Sequence, residues 1–190
     1  MLSDDEKELL RRIKKDPQLF AVFYDRYYNA IFAYVFRRLG QYEPARDITA
    51  EVFLKAFHKI GSFEWRSIPI SAWLYRIASN EINLSSRKSK YKPTYIEDVN
   101  LHAYLQYENG VETERAALEK AFSENKEFVA VQKALLQLDQ KYQEVIALRY
   151  FEEKPIKEIA MITGKNEGTV KSLISRGLDK LRVIATSFNN

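Results

Sequence analysis

The side chains best suited to molecular recognition lie near the C-terminus, on the second of two predicted helices. Between Pro155 and Arg182, apolar residues recur every three or four positions in two runs that the turn KNEG separates. This spacing predicts a helix-turn-helix. The outward face of its second helix carries Lys171, Ser172, Ser175 and Arg176. Short hydroxyls and long cations suit a DNA major groove, although a helical hairpin with no nucleic-acid partner fits the same periodicity.

Three residues predict where the helices of this hairpin begin and end. Gly164 follows the first apolar run, where a glycine commonly ends a helix. Asn166 can cap the helix that follows. Gly168 falls in the first turn of that second helix, where glycine is a poor helix former that packing alone would not favour. The short turn also forces a large crossing angle, which favours DNA recognition over a simple hairpin.

A second group of side chains suited to nucleic acid lies between residues 61 and 88. The loop over residues 61–69, GSFEWRSIP, brings together an aromatic ring, a cation and a hydroxyl, which is unusual for a simple connection. The helix predicted over residues 70–88 displays, away from its apolar stripe, Trp73, Tyr75, Arg76, Asn80, Asn83, Arg87 and Lys88. Rings, amides and cations are the components of single-strand recognition. Trp73 has a second interpretation as a core residue, since large aromatic side chains are mostly buried.

A charged stripe occupies the helix predicted over residues 45–60. Asp47, Glu51 and Lys55 follow one another at steps of four residues, so they share one face. This spacing predicts an intrahelical ion-pair ladder. Asp47 and Glu51 are the paired carboxylates that could hold a cation, but no histidine or second acidic helix completes the shell. We therefore expect no metal site.

The sequence lacks the residues that the common classes of enzyme need. It has no cysteine, and its two histidines, His58 and His102, lie far apart with no carboxylate pattern beside them. A catalytic triad, a zinc cluster or a phosphate-binding loop would need other residues than these. We expect no catalytic residue, no cofactor and no small-molecule substrate, and hence a protein that is not an enzyme.

The distribution of charge divides the chain into three parts. Residues 1–90 carry 16 Lys or Arg against 11 Asp or Glu, residues 91–127 carry 4 against 8, and residues 128–190 carry 10 against 7. Two basic blocks around an acidic block are expected if both ends touch a polyanion. The N-terminus is charged, and no run approaches the ~18 apolar residues of a membrane span, which predicts a cytoplasmic protein.

Helical periodicity covers both basic blocks and predicts an all-α fold of two small domains joined by a flexible linker. The first domain covers residues 1–90 and contains helices over residues 9–13, 19–39, 45–60 and 70–88, with an aromatic stripe on the second of them as core. The other domain covers residues 128–190 and ends in the helix-turn-helix. Between them, residues 91–127 mix isolated apolar side chains with acid, as a loosely ordered linker does.

The order of these features resembles that of the bacterial RNA polymerase sigma factors, in particular the small extracytoplasmic-function (ECF) group. The resemblance covers residues 19–88 and 130–182. It is carried by four motifs: DITAEVFLKAF at residues 47–57, AWLYRIASN at 72–80, YQEVIALRYFEEKPIKEIA at 142–160 and GTVKS at 168–172. Each motif is weak alone, but their order around an acidic linker is specific. The implied function is promoter-specific transcription initiation, with sigma region 2 in the first domain and sigma region 4 in the last.

The resemblance implies two parts that read DNA. The loop carrying Glu64, Trp65 and Arg66 would capture a flipped base as the minus-ten element is read and melted, with Asn80 nearby. The residues that would hold the strand backbone are Arg76, Arg87 and Lys88. The residues implied for the minus-thirty-five element are Thr169, Lys171, Ser172, Ser175 and Arg176, with Arg149 and Lys157 as phosphate contacts.

The resemblance also implies protein partners. Core RNA polymerase would bind through its beta-prime clamp and beta subunits, with Asp47, Glu51 and Lys55 on the clamp and the acidic linker threaded through the enzyme. An anti-sigma factor would hold the chain inactive, in some cases at the inner membrane. The alternative function is a stand-alone helix-turn-helix regulator that binds duplex DNA and uses its first ninety residues for dimerisation or sensing.

Four positions depart from the usual pattern of the family. Ala50 stands where Gln is common, Leu173 where Arg is common, and Gly177 and Leu178 replace Ala-Arg. The loop EWRSIPI also differs from the usual polar version. Promoter preference and the identity of the captured base therefore do not transfer from the family to this chain.

Overall fold

The computed structural model describes residues 4–63, 68–88 and 126–187. Every regular element in those ranges is helical, which confirms the all-α prediction. The elements are α1 (Asp4–Lys15), a 3₁₀ turn (Pro17–Leu19), α2 (Phe20–Leu39), α3 (Tyr42–Ile60), α4 (Ile70–Lys88), α5 (Lys126–Leu136), α6 (Gln140–Ile146), a π-helical turn (Ala147–Phe151), α7 (Ile156–Thr163) and α8 (Glu167–Ser187). The predicted linker falls outside the described residues, except for residues 126 and 127 at the start of α5.

Glycine, proline and aspartate set the ends of the first helices. Asp16 accepts a hydrogen bond from the N–H of Gln18, and Pro17 occupies the first position of the 3₁₀ turn, where its missing N–H is not needed. α2 ends at Gly40, which has a φ of 70° and donates its N–H to the carbonyl of Phe36 at 2.7 Å. A left-handed φ of this kind favours glycine. The breaks predicted at these places are confirmed.

α1 to α4 form the N-terminal half of the molecule. The aromatic stripe predicted on α2 is core for most of its length, and Phe23, Tyr34 and Val35 are each at most 1% exposed. On α4, Ile82 is 1% exposed whereas Leu84 is 39% exposed, since the two positions lie about half a helical turn apart.

α5 to α8 form the C-terminal half. α6 continues without a break into the π-helical turn, so residues 140–151 form one continuous helical run. α8 crosses α6 closely at Gly177. A Cβ atom there would lie 2.7 Å from Ile146 Cδ1 and 3.3 Å from Tyr142 Cβ. A residue larger than glycine at this position would therefore displace the side chain of Ile146.

The two halves pack against each other and share one continuous apolar core. α2 contacts both α5 and the π-helical turn, and α4 contacts α7. At Gly40 the approach is so close that a Cβ atom would lie 2.6 Å from Leu136 Cδ1 of α5. The fold therefore places the first helix of the helix-turn-helix directly on the helix that carries the second group of nucleic-acid-type side chains.

The crossing of α8 and α6 can be tested with a matched pair of glycine substitutions. Gly168→Ala is expected to raise the free energy of unfolding by about 0.4–1 kcal/mol, because alanine restricts the unfolded chain and the nearest atom, Asn166 Oδ1, is 3.4 Å away. Gly177→Ala is expected to be less stable than Gly168→Ala by about 1–3 kcal/mol, because the new methyl displaces Ile146. Urea unfolding of both variants measures the difference, and equal stabilities would contradict the close crossing.

Candidate nucleic-acid interface

α7 and α8 form the helix-turn-helix, and the turn between them has the predicted caps. Gly164 ends α7 with a φ of 68° and donates its N–H to the carbonyl of Ala160. Asn166 Oδ1 accepts a hydrogen bond from the N–H of Thr169 at 2.7 Å. This bond satisfies one of the free donors in the first turn of α8. Because both ends of the turn are fixed, the starting residue of α8 and the direction of each of its side chains are fixed as well.

α8 has an apolar face and a polar face. Val170 and Ile174 are buried on the apolar face, at 0% and 9% exposed. The opposite face carries the predicted reading residues, all of them exposed: Thr169, Lys171, Ser172, Ser175 and Arg176. Among the described residues, neither Lys171 nor Arg176 forms an ion pair. Their charges are therefore available to an external anion.

Two departures from the family pattern on α8 have a packing role. Leu173 and Leu178 are half-buried and lie against the core cluster. An arginine at either position would place a cation at the edge of the apolar core. In this chain, both leucines pack against the core, so the polar face of α8 is narrower than it would be with arginine at these two positions.

Arg149 and Lys157, the predicted phosphate contacts, flank the hairpin. Arg149 lies in the π-helical turn and Lys157 in the first turn of α7, and both are exposed. Arg149 Nη1 donates to the carbonyl of Lys154 at 3.2 Å, which holds the guanidinium beside the segment that leads into α7. The remaining donors of that guanidinium can reach a phosphate.

A second polar stripe runs along α4. Arg76, Asn80 and Arg87 are exposed and Asn83 is half-buried. Their spacings of four, three and four residues put them on one side of the helix. Lys88 is the last residue of α4. The stripe offers two guanidinium groups and two amides along about three turns, a length that suits a few nucleotides of an extended strand.

Two aromatic residues of α4 do not belong to this stripe, which is contrary to the prediction for Tyr75 and agrees with the core interpretation of Trp73. Tyr75 is 4% exposed, and its hydroxyl donates to Glu152 Oε2 at 2.5 Å. Trp73 is half-buried, and its ring lies against Phe63 with the centroids 4.9 Å apart. Tyr75 was wrongly assigned to a DNA surface, and for Trp73 the core interpretation is the better one. The rings belong to the packing that holds the stripe in place.

The predicted base-capturing residues Glu64, Trp65 and Arg66 lie outside the described residues. The residue before them is held by α1, because Lys14 Nζ donates to the carbonyl of Phe63 at 3.0 Å. Lys14 was missed in the sequence, where α1 showed only a short apolar repeat. The N-terminal helix thus fixes the point at which the loop leaves α3.

The charged stripe of α3 is partly an ion-pair network and partly free surface. Lys55 Nζ lies 3.2 Å from Glu51 Oε1 and 2.5 Å from Glu81 Oε2 of α4. The hydrogen bond with Glu81 is the main cause that raises the pKa of Lys55. Asp47 is exposed and forms no ion pair within the described ranges. The intrahelical ladder is therefore limited to the pair of Glu51 and Lys55. Asp47 is available to a partner protein.

Exposed apolar side chains lie beside this stripe and were missed in the sequence. Leu54 is 51% exposed and Phe57 is 43% exposed. Leu54 follows Glu51 by three residues, so the acidic and apolar groups share a surface. A face that combines carboxylates with large apolar side chains is typical of a protein-binding surface.

The described parts of the chain offer no metal centre, since no three His, Asp or Glu side chains in them could hold an ion together. In the same parts, no helix is both long and apolar enough to cross a bilayer.

Two family models match the chain. Residues 23–90 match sigma-70 region 2, and residues 128–181 match sigma-70 region 4. The chain is 35% identical over 184 residues to the ECF RNA polymerase sigma factor SigW of Bacillus subtilis, covering 93% of this chain and 94% of that protein. It is 32% identical over 160 residues to the RNA polymerase sigma factor YlaC of Bacillus subtilis, covering 84% and 87%.

Solved structures share the fold. The structure of CnrH in complex with the cytosolic domain of CnrY superposes with a TM-score of 0.66 at 20% identity, over 97% of this chain and 99% of that chain. The sigma factor RpoE of Bartonella quintana, crystallised with the anti-sigma factor NepR, gives a TM-score of 0.61 at 20% identity, over 88% and 96%.

Proposed function

The chain belongs to the ECF group of bacterial RNA polymerase sigma factors and directs promoter-specific transcription initiation; from this premise we propose which surface performs each step. The observation that supports the assignment is the presence of two exposed stripes of cations and polar groups, one on α8 and one on α4. Each lies in a different matched region of the chain. We divide the chain accordingly into region 2 (residues 1–90), an acidic linker (residues 91–127) and region 4 (residues 128–190).

The minus-thirty-five element is bound by α8 in the major groove. Short donors and two unpaired cations on its outer face suit base edges and phosphates together. The assigned readers are Thr169, Lys171, Ser172, Ser175 and Arg176, and the assigned phosphate contacts are Arg149 and Lys157. Because Leu173 and Leu178 face the core, base reading is concentrated on the residues around Ser172 and Arg176.

The minus-ten element is bound as a single strand along α4. Arg76, Arg87 and Lys88 hold the backbone, and Asn80 reads a base edge. Glu64, Trp65 and Arg66 capture the flipped base at the end of the strand nearest α3. The hydrogen bond from Lys14 to Phe63 supports this assignment, because a loop that extrudes a base needs a fixed point of attachment.

Core RNA polymerase binds the exposed face of α3. Asp47 and Glu51 supply charge, Lys55 sets the position of Glu51, and Leu54 and Phe57 supply apolar contact area. The partner surface is the beta-prime clamp, with further contacts to the beta subunit. Charged and apolar groups side by side give both orientation and buried area to an interface.

An anti-sigma factor is the proposed inhibitor. The related folds of CnrH and RpoE were solved with CnrY and NepR respectively, and this supports a partner of the same kind here. A sigma factor acts where the polymerase is, so the chain works in the cytoplasm, and a membrane-anchored inhibitor would hold it at the inner membrane. The chain contributes binding and no catalytic step.

The alternative of a stand-alone regulator leaves the first half of the chain without a role in transcription initiation. The match of residues 23–90 to sigma-70 region 2 therefore favours the sigma factor over a regulator with a dimerisation or sensor domain.

Reconstituted transcription tests the function directly. The purified chain and core polymerase are expected to form a stable complex and to give discrete run-off transcripts from a library of promoter fragments, whereas neither gives them alone. The polymerase supplies most of the affinity for DNA, so the chain alone should bind duplex DNA weakly. Absence of both complex and transcript, together with tight duplex binding by the chain alone, would establish the regulator instead.

A single arginine tests the assignment of α8. Arg176→Ala is expected to cost about 1–3 kcal/mol of binding at one base pair of the minus-thirty-five element and to relax the preference there. Arg182→Ala is the matched control, because Arg182 lies on the same helix but is paired with Asp179 at 3.5 Å. Transcription from promoters with every base at each position measures both. An equal loss on all sequences would reassign Arg176 to a phosphate.

Charge reversal tests the assignment of α3. Asp47→Lys is expected to weaken binding to core polymerase by at least about tenfold, with an unchanged circular dichroism spectrum, because Asp47 is exposed and unpaired among the described residues. Asp25→Lys makes the same change on the exposed side of α2 and should have no effect. Equal affinities of the two variants for core polymerase would indicate that the α3 stripe has only a structural role.

A further inference from the structure

A cavity that none of the binding steps above uses lies where the helices α2 to α6 meet. Its volume is about 140 Å³, which is room for several water molecules at the ~30 Å³ that each occupies in the liquid. The polar side chains of its wall are those of Arg38, Gln41, Ser85, Ser86, Gln140 and Gln143. No Asp or Glu is among the described residues that line it. The wall therefore offers hydrogen-bond donors and one positive charge.

Arg38 is the charged group of this wall, and one edge of its guanidinium group has no partner. The side chain is 0% exposed. Nη1 donates to the hydroxyl of Tyr34 at 3.1 Å and lies 3.7 Å from Glu144 Oε1. Nε and Nη2 form the other edge, and both are buried without a hydrogen-bond partner among the described residues. Two parallel N–H groups of this kind bind two oxygens of one anion.

The other polar groups of the wall differ in how far their hydrogen-bonding capacity is used. Ser86 Oγ donates to the carbonyl of Ile82 at 2.9 Å, and Gln143 Nε2 donates to the carbonyl of Leu135 at 3.4 Å. The wall residues whose side chains form no hydrogen bond within the described ranges are Gln41, Ser85 and Gln140. These three belong to different elements, so donors are available on several sides of the cavity.

The first turn of α3 borders the same cavity. Gln41 directly precedes α3, and Pro44 lies in its first turn. The side chain of Gln41 makes no capping hydrogen bond, so it satisfies none of the N–H groups at this end of a 19-residue helix. The N-terminus of a helix carries a partial positive charge that favours anions. The helix end and the unpartnered edge of Arg38 therefore favour the same kind of ligand in one cavity.

We propose that this cavity binds a phosphate group, either inorganic phosphate or the phosphate of a small metabolite. Nε and Nη2 of Arg38 hold two of its oxygens, and the side chains of Gln41, Ser85 and Gln140 donate to the others. A phosphate accepts hydrogen bonds in several directions, whereas the two oxygens of a carboxylate lie in one plane with its carbon. Donors on several sides of the cavity favour the phosphate.

The site goes beyond the proposed function and does not depend on it. The ligand contacts Arg38, Gln41 and Ser85 in region 2 and Gln140 in region 4. Pairing the free edge of Arg38 removes the cost of burying two donors without acceptors. A ligand that binds only the folded chain also stabilises it by mass action, so the chain is expected to melt at a higher temperature in phosphate than in chloride of equal ionic strength.

A titration of the full-length chain with inorganic phosphate tests the site. The NMR signal of the Arg38 Nε–H group, assigned by through-bond correlation, is expected to move downfield and to saturate at one phosphate per chain. Sodium chloride at the same ionic strength screens charge equally but supplies no oxygen acceptors, so it should leave this signal in place. No shift with phosphate, or an equal shift with chloride, would overturn the proposal.

Substitutions in the wall give the second readout, which is the phosphate affinity measured by calorimetry. Arg38→Lys keeps the positive charge but loses the two-donor edge, and it is expected to weaken binding by at least about tenfold. Because Arg38 is buried, a second variant at a half-buried position guards against loss of folding. Gln41→Glu adds a like charge to the wall with little change of shape and is also expected to weaken binding by at least about tenfold.

Gln18→Glu is the matched control for Gln41→Glu. It makes the same change on an exposed side chain outside the cavity wall and should leave the phosphate affinity of the wild type unchanged. Circular dichroism reports the folding of all three variants. Equal phosphate affinities of Gln41→Glu and Gln18→Glu would show that phosphate binds elsewhere on the basic surface and would overturn the site.

Two further ligands identify the chemistry. Tighter binding of glycerol phosphate than of inorganic phosphate would support the site and indicate a phosphorylated metabolite as its ligand. The reverse order would support the site and indicate the free ion. Tighter binding of acetate than of either phosphate compound would overturn the assignment of the cavity to a phosphate group.

Discussion

Helix α2 is covered on all sides in its second half, and the rest of the molecule is built around that requirement. Six consecutive residues, from Ile31 to Phe36, are each at most 5% exposed. Successive side chains on a helix point about 100° apart, so six of them cover its whole circumference. A helix that is buried all round needs neighbours on every side. α3 and α4 supply some of them, and α5 and the π-helical turn supply the others.

The contact between the halves follows from this burial. Apolar surface is worth about 25 cal/mol per Å² removed from water, so the exposed side of α2 would attract whatever apolar helix could reach it. Arg37 and Arg38, at the end of α2, oppose this association, because their guanidinium groups lose hydration when the C-terminal half packs against them. The apolar side chains drive the contact between the halves, and the polar ones set its register.

α4 links this contact to DNA recognition. Tyr75 faces the C-terminal half while its neighbour Arg76 faces solvent, and Ser79 is 2% exposed while Asn80 is exposed. Adjacent residues therefore serve different surfaces of one rigid helix. Ser79 shares a hydrogen bond with Tyr34 at 2.7 Å, and Arg38 donates to the same tyrosine. The contact between the halves and the strand-binding side therefore lie on two faces of the same helix.

Local features could be predicted from the sequence, and long-range pairings could not. The ends of helices at Gly40 and Gly164 and the cap at Asn166 depend on residues within a few positions, so the types of those residues are enough to predict them. The exposed face of α8 followed from periodicity. The burial of Tyr75 did not, because periodicity identifies a face without identifying what covers it. The pairing of Lys55 with Glu81 likewise requires knowing that α3 lies beside α4, and the order of motifs indicated the family without indicating how its two regions meet.

The division of α8 into a packed face and a free face has an evolutionary consequence. Val170, Ile174 and Gly177 are constrained by the core, whereas Lys171, Ser172 and Ser175 are exposed among the described residues. Exposed substitutions of this kind usually change stability by less than about 0.5 kcal/mol. A duplicated copy of this gene could therefore acquire a new set of target promoters through a few changes on one side of one helix. The packing of the fold would be inherited unchanged.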